Sequence, residues 1–567
     1  MIITPLNFDK AIQHIKQTNP LFVDLETTGL SPYNGDKICG VAIMAEEETY
    51  YFPFRHAIGE NLDQKYFGLL GKELCRPDKI YIGHNYKFDL KFLRKEGVPL
   101  PEKILDTMIG AHLLNENEDN FKLKTLSDKY LGDWASSEEK TLKEKLEHYG
   151  YDKGDIYILH PKDVAPYAEQ DVRITKGLFE YQVLHLKREK TFDLFKEVSK
   201  FSLVITQMEI YGMKVDSELI EKYRWEAKEN IDRVCKDIRA MHGGDINPGS
   251  PIQLQRWLGL KSTAKKVLEN LKGKKIKEKA DAVLEYRSWC KVNNLYYSKF
   301  LKLKDENDVL HPNLLVTGTI SGRLSCSSPN LQQIPRYSNI YKVKDVFIAR
   351  PGFSFLEIDY SQAEIRTGSH YAQESSMIKL LKSGVDIHSA TSEEMQIDRF
   401  VAKTLNFSII YGIGPKTLAK NLDITEAEAL FYLRKYHRAY PGFKRLSIKA
   451  EKTAKNRRFI KLFTGRRRHY NCEKAETYKA ISNLVQGAAA EMLRVSINRI
   501  WDELDRNKIR ILLCVHDSII CEVTEGFEKE AAKQITDIMN DQPWCSVPIK
   551  SDVKVGKVWG QMREMEL

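Results

Sequence analysis

The chain has no Cys-x-x-Cys pair, no apolar run approaching the roughly eighteen residues that a membrane helix needs, and no internal repeat. Each absence removes a class of protein. Its nine cysteines are scattered and odd in number, which argues against a disulfide framework and against a zinc site, and favours a reducing cytosol. The first residues, MIITPLNFDKAIQHIKQ, carry no long apolar segment behind a basic end, so no signal peptide is read there. Low complexity is confined to one lysine-rich patch. The expectation is a cytoplasmic chain with no membrane partner.

What is present suits a multidomain protein with a polyanionic partner. A length of 567 residues allows roughly three or four domains with full apolar cores. The net charge of +10 is a weak argument alone, but its distribution is uneven. Residues 261–280 hold eight lysines against two glutamates, and TGRRRHY at 464–470 sets three arginines in a row. A solvated helical face and a phosphate contact are both open readings of the lysine cluster.

Two groups of acids stand out. LFVDLETTGL (21–30) reads as a buried strand with Asp24 and Glu26 on one face, two like charges that need a cation or water between them, so a metal site is the first expectation. YIGHNYKFDLKFL adds Asn85 and Asp89, and YAEQDVRIT adds Tyr167 and Asp171 on one helical face. Far downstream, PGFSFLEIDYSQAEIR (351–366) reads as a strand ending at Asp359 and turning into a helix, and IRILLCVHDSIICEV as a hairpin with His516 and Asp517 at its tip. Spacing alone cannot bring Asp359 and Asp517 together.

Between those acids, RFVAKTLNFSIIYG (399–412) sets Arg399, Lys403, Phe407 and Tyr411 at four-residue intervals. As a helix it would present them as one stripe about 18 Å long, while Val401, Ala402, Leu405 and Ile409 supply a separate apolar face. Cations suit phosphates and rings suit a base. Two rings buried in an ordinary core are the alternative.

The ordered acids of the first group resemble the three motifs of the DEDD superfamily of 3′-to-5′ exonucleases, in the subgroup with tyrosine in the third motif. That resemblance implies two Mg²⁺ ions held by Asp24, Glu26, Asp89 and Asp171. Tyr167, with an ordinary pKa near 10, would orient the attacking water rather than act as a base. DYSQAEIR, the 399–412 helix and VHD resemble motifs A, B and C of the family A DNA polymerases. LEYR (284–287), TGTISGRLSCSSPNLQQIP (317–335), DIHSAT (386–391), TGRRRHY and QGAAAE (486–491) fall in the family's order.

The resemblance implies an α/β and α+β multidomain fold. A ribonuclease H-like exonuclease domain at 1–190 would precede a right-hand polymerase domain at 191–567, with thumb at about 191–310, palm at about 311–385 and 491–567, and fingers at about 386–490. Asp359 and Asp517 would hold two further Mg²⁺ ions, with Mn²⁺ as a substitute. Arg399, Lys403 and His388 would meet the triphosphate, Phe407 the sugar and base, and Tyr411 the templating position. Glu364 would crowd a ribose 2′-hydroxyl, and Phe407, lacking a hydroxyl, implies poor dideoxynucleotide use. Arg323 and Gln486 would read the minor groove, His516 would sit by the primer end, and the 261–280 lysines would touch DNA backbone.

The implied partners are primer-template DNA and deoxynucleoside triphosphates, acted on by a monomer in the nucleoid-containing cytoplasm of a bacterium or in a virus-infected cell. Ser518 stands where many relatives carry Glu, and Ser482 where they carry Asn. Exonuclease motifs that begin at Asp24 leave no room for a preceding 5′ nuclease domain, so a short form is expected. A nuclease with a non-catalytic clamp, or an inert scaffold, would have no need to keep both acid groups.

Overall fold

Alternation along LFVDLET orients the first sheet. In the computed structural model, which describes residues 1–132, 137–471 and 476–567, the strands are β1 (Leu21–Thr27), β2 (Ile38–Ala45), β3 (Glu48–Pro53), β4 (Tyr81–Gly83) and β5 (Ile104–Asp106). They lie in the order β3-β2-β1-β4-β5, antiparallel from β3 to β1 and parallel from β1 to β5. Leu21, Val23 and Leu25 enter one core. Phe22 enters the other, beneath a helix that contributes Val164, Ala168 and Val172. Because strand side chains alternate with period two, Asp24 and Glu26 share the Phe22 face.

Three helices flank the site: α1 (Lys87–Lys95), whose Leu90, Phe92 and Leu93 enter the Leu21 core, and α2 (Leu123–Leu131) and α3 (Pro161–Glu189), which pack on each other through Leu126 and Leu178. Pro161 opens α3 in the first helical position, where its missing N–H costs nothing, and Lys190 closes it in the left-handed region. The next helix, α4 (Phe192–Tyr211), is apolar around most of its girdle and buried accordingly. The expected boundary puts α4 in the thumb. It packs instead between β5 and the second sheet, because Phe195, Phe201, Val204 and Met208 need apolar cover on several sides. The pair α5 (Ser217–His242) and α6 (Lys274–Val292) packs as an arm of its own. The 261–280 lysines are divided among a loop, a short helix at Lys265–Glu269 and the first turns of α6 rather than lying on one continuous helix.

The second sheet is wholly antiparallel. Its strands are β6 (Phe353–Tyr360), β7 (Ile509–Val515), β8 (Ser518–Thr524), β9 (Ser551–Gly556) and β10 (Arg563–Glu564), in the order β7-β8-β6-β9-β10. Helix α7 (Ala363–Ala372) follows β6, and α8 (Ile387–Met395) and α9 (Arg399–Ile410) belong to a separate helical core. Helix α10 (Ala480–Glu503) runs unbroken through the expected 490/491 boundary. Its first half, with Ile481 and Leu484, packs in the helical core, and its second half, with Met492 and Ile497, packs under the sheet. Among the described residues no helix is long and apolar enough to cross a membrane.

Buried ion pairs hold the parts together. Glu209 on α4 accepts the Leu314 N–H at 2.6 Å and pairs with Lys87 and with Lys91 of α1, the latter at 2.8 Å. Glu116 pairs with Arg468 at 2.6 Å, joining the first domain to the RRR segment. Glu491 on α10 is fully buried against Arg466 at 2.7 Å, Arg494 at 2.9 Å and the Thr464 hydroxyl at 2.7 Å. Burial alone would raise its pKa, but the two guanidinium groups win and hold it at about 2.

Glu491→Ala strands two buried cations, and the expected loss is about 3–5 kcal/mol at pH 7. Because the folded pKa is depressed, the Glu491 contribution is complete above its ordinary value of 4.5 and fades as pH falls toward about 2. Thermal melts of wild type and variant should therefore converge over that acid range.

Candidate active sites

The first pocket is built where β1 meets α1 and α3. Asp89, 3% exposed on α1, accepts the Leu25 N–H at 3.1 Å, which docks its carboxylate on the strand between Asp24 and Glu26. Burial and the charge of Asp24 push the Asp89 pKa well up. Tyr167 on α3 lies within the fields of Asp171, Glu26 and Asp24, and burial followed by those charges raises its pKa far above the phenol range. Tyr167 therefore stays protonated and can donate a hydrogen bond but not accept a proton. The structure thus draws Asp24, Glu26, Asp89, Tyr167 and Asp171 into one pocket.

Two residues in this pocket carried no sequence signal. Asp106, at the end of β5, accepts from the Asn85 and Tyr86 N–H groups, both at 2.9 Å, and so fixes the turn that launches α1. Asn85 in that turn takes a φ of 54°. Burial raises Asp106 to about 6, with backbone donors opposing. Lys124 on α2 pairs with Asp171. An aspartate before a helix and a lysine on a polar helix are too common in any chain to be singled out.

The second pocket is built on β6 and the β7–β8 turn. Asp359 stands opposite Ser518 of β8 on one side and Asp552 of β9 on the other. Directly opposed residues of antiparallel strands share a face. Asp517 lies in the turn after His516, whose φ of 55° bends the chain sharply, and its backbone carbonyl accepts the Tyr360 N–H at 3.2 Å. That bond fastens the two aspartates side by side. Asp359 is pushed up to about 6 by loss of solvent, then by Asp517, Glu357 and Asp552. Asp517 is raised by burial, with Arg323 opposing. The Ser518 hydroxyl donates to the Val515 carbonyl at 3.0 Å and closes the turn, so the outer acid beside Asp359 is Asp552, visible only through strand register.

A cleft of about 730 Å³ opens over these acids, lined also by Glu364, His388, Arg399, Lys403 and Phe407. Helix α9 begins because Asp398 caps it, accepting from the Phe400 N–H at 2.7 Å. It buries Ala402, Leu405 and Ile409 and turns Arg399 and Lys403 to solvent, with Phe407 half-buried. Tyr411 falls just past the last helical residue, its ring 6.2 Å from that of Phe407 and 20° from parallel. Arg399, Lys403 and Phe407 line the cleft, whereas Tyr411 does not, and both rings pack against the helical core. Arg399 is held by Asp386 at 2.7 Å, so an incoming anion competes with a carboxylate. The Tyr411 hydroxyl donates to Glu364 at 2.5 Å, and Arg323 takes the other Glu364 oxygen at 2.7 Å while reaching Asp517 at 3.5 Å.

His388 accepts from the Asn406 amide at 3.1 Å through Nδ1, and burial lowers its pKa, so it meets the cleft as a neutral donor. His516 lines both the cleft and a small neighbouring pocket with Arg323 and Arg494. Gln486 is half-buried on α10 and is not among the cleft's lining residues; Ser482 is likewise half-buried one turn earlier.

Both pockets suit hard divalent cations. Their donors are carboxylate oxygens, and burial followed by neighbouring acids raises the pKa of Asp89 and of Asp359. Among the described residues no three such side chains are already gathered into a ligand shell.

The model of DNA polymerase family A matches residues 217–561, and that of the 3′-5′ exonuclease matches residues 1–186. The chain belongs to DNA polymerase family A. It is 29% identical to DNA polymerase I of Borreliella burgdorferi, over 99% of this chain and 64% of that protein. Against the Helicobacter pylori enzyme it is also 29% identical, over 93% of this chain and 60% of that protein. The chain thus spans less than two thirds of these relatives. A polymerase domain from M. smegmatis, solved in complex with DNA primer-template and dNTP, shares the fold at a TM-score of 0.84 and 21% identity, over 99% of both chains.

For the metal-free family member, the raised Asp359 pKa means that stability increases as pH falls through about 6 toward 3.8. Asp359→Asn should accordingly raise Tm in chelator at pH 7, and the gain should vanish near pH 4. Calorimetric binding of Mn²⁺ should weaken as pH drops below about 6, because protons compete for the same oxygens.

Proposed function

We propose that the chain copies DNA from deoxynucleoside triphosphates at the β6–β8 pocket and removes 3′-terminal nucleotides at the β1–α3 pocket. One observation carries the reading: the paired acids Asp359 and Asp517 face, across a single cleft, a helix bearing two cations followed by an aromatic ring. That order matches a triphosphate followed by a sugar and base. The M. smegmatis polymerase domain with the same fold is in complex with DNA primer-template and dNTP, which supports the same substrates here.

Asp359 and Asp517 would hold Mg²⁺, with Mn²⁺ as a substitute, and Asp24, Glu26, Asp89 and Asp171 would do so in the other pocket. Bound there, the ions lower the pKa of the attacking hydroxyl or water and neutralise charge on the phosphoryl oxygens. The protein's own residues do the rest. Arg399 leaves Asp386 for the triphosphate, joined by Lys403 and the neutral His388 donor. Phe407 packs on the sugar and base, and Tyr411 borders the templating position.

Glu364, held at both oxygens by Tyr411 and Arg323, is too constrained to yield to a 2′-hydroxyl and so favours deoxynucleotides. Arg323, Gln486 and His516 lie toward the primer end. Swinging α9 onto a correct pair completes the constellation. In the nuclease pocket the protonated Tyr167 donates to the attacking water and orients it. The α5–α6 arm with the lysines of 261–280 acts as the thumb on the DNA backbone, and the enzyme acts as a monomer.

A primer-template assay with deoxynucleotides and Mg²⁺ separates the activities. Asp517→Ala should reduce extension about 10³-fold while degradation continues, and Asp24→Ala should do the reverse. Extension by Asp517→Ala at the wild-type rate would refute the synthetic site. Glu364→Ala should raise ribonucleotide incorporation, and Phe407→Tyr should raise dideoxynucleotide incorporation, both read from single-turnover kinetics.

A further inference from the structure

One cation is built into the nuclease pocket. Lys124 projects from the first turn of α2, its ammonium paired with the Asp171 carboxylate and 5.0 Å from the centre of the Tyr167 ring. Its side chain is 15% exposed and that of Asp171 is 8% exposed. The helix holds it there through apolar contact, with Leu126 of α2 against Leu178 of α3. The ring adds a cation–π attraction that keeps the ammonium over the same phenol that faces the acids.

Charge accounting gives this lysine a task. A phosphodiester brings one more negative charge to a pocket already crowded with the carboxylates Asp24, Glu26, Asp89, Asp106 and Asp171. A second negative charge develops as the attacking oxygen bonds to phosphorus. Among the described residues, Lys124 is a positive group paired directly with one of these acids. When Asp171 turns its charge toward a metal ion, the ammonium loses its partner and faces the substrate.

We propose that Lys124 is a catalytic residue of the 3′-to-5′ exonuclease pocket. Its ammonium pairs with Asp171 in the metal-free protein and passes to a non-bridging oxygen of the scissile phosphodiester when ions and DNA bind. This rests on the nuclease reading above. The ammonium donates hydrogen bonds without giving up a proton, so no bond to nitrogen forms or breaks.

The test uses the full chain with Lys124→Met, which keeps the length and loses the charge, and Lys124→Arg, which keeps the charge. Degradation of single-stranded DNA gives kcat and KM. Calorimetry with Mn²⁺ alone, in an Asp359→Asn, Asp517→Asn background, gives ion affinity of the nuclease pocket, and a thermal melt checks folding. The expected result for Lys124→Met is a kcat lower by about 10²-fold, with Mn²⁺ affinity unchanged or tighter, since a competing positive charge has gone. Lys124→Arg should recover part of the rate. A kcat equal to wild type overturns the proposal. So does a loss of rate matched by an equal loss of Mn²⁺ affinity, which is the mark of a lysine that merely props up Asp171. Absence of degradation by the wild type would instead overturn the nuclease reading itself.

Discussion

Carboxylates held side by side against their own repulsion are the constraint on which both sites depend. Like charges part unless the backbone beneath them is immovable. The protein meets this twice by the same means, placing one acid on a strand and a second on a segment hydrogen-bonded to that strand. Asp89 docks on the Leu25 N–H, and the Asp517 carbonyl takes the Tyr360 N–H. The raised pKa values of Asp89 and Asp359 are the electrostatic cost of that arrangement, present until a cation arrives.

The two sites do not sit on independent bodies. Helix α4 is a shared wall, packed on β5 of one sheet and on β7 of the other. Glu209 on that helix reaches both α1, which carries Asp89, and the segment at Leu314. Glu116 holds the RRR segment, whose Arg466 is in turn paired with Glu491 on α10. Buried pairs thus join the first domain to the RRR segment, and that segment to the helix that links the helical core to the second sheet. Such pairs add little net stability when complete, but removing one partner is costly, so they act chiefly to fix relative position.

Around the cleft over Asp359 and Asp517 the same economy of charge sets the pairing. Arg399 is taken by Asp386, and Glu364 is shared by Tyr411 and Arg323. Any anion entering this cleft would therefore exchange partners rather than meet bare charges, and the pairing lowers the penalty of keeping cations and acids in one cleft.

Much of this was legible in order along the chain. Alternation placed Asp24 and Glu26 on one face, helical spacing placed Tyr167 with Asp171 and Arg399 with Lys403 and Phe407, and His516–Asp517 read as a hairpin tip. Periodicity is a local property, set by the 2-residue and 3.6-residue repeats of the backbone. Motif order added the family and its two domains. Tertiary structure decided what lies beyond one element. It put Asp552 opposite Asp359, made Ser518 a turn-closing hydroxyl, set Lys124 on Asp171, and drew α4 out of the expected thumb into a wall between sheets. Those outcomes follow from strand register and from how buried surfaces fit, and residues far apart in sequence carry no local pattern that could announce either.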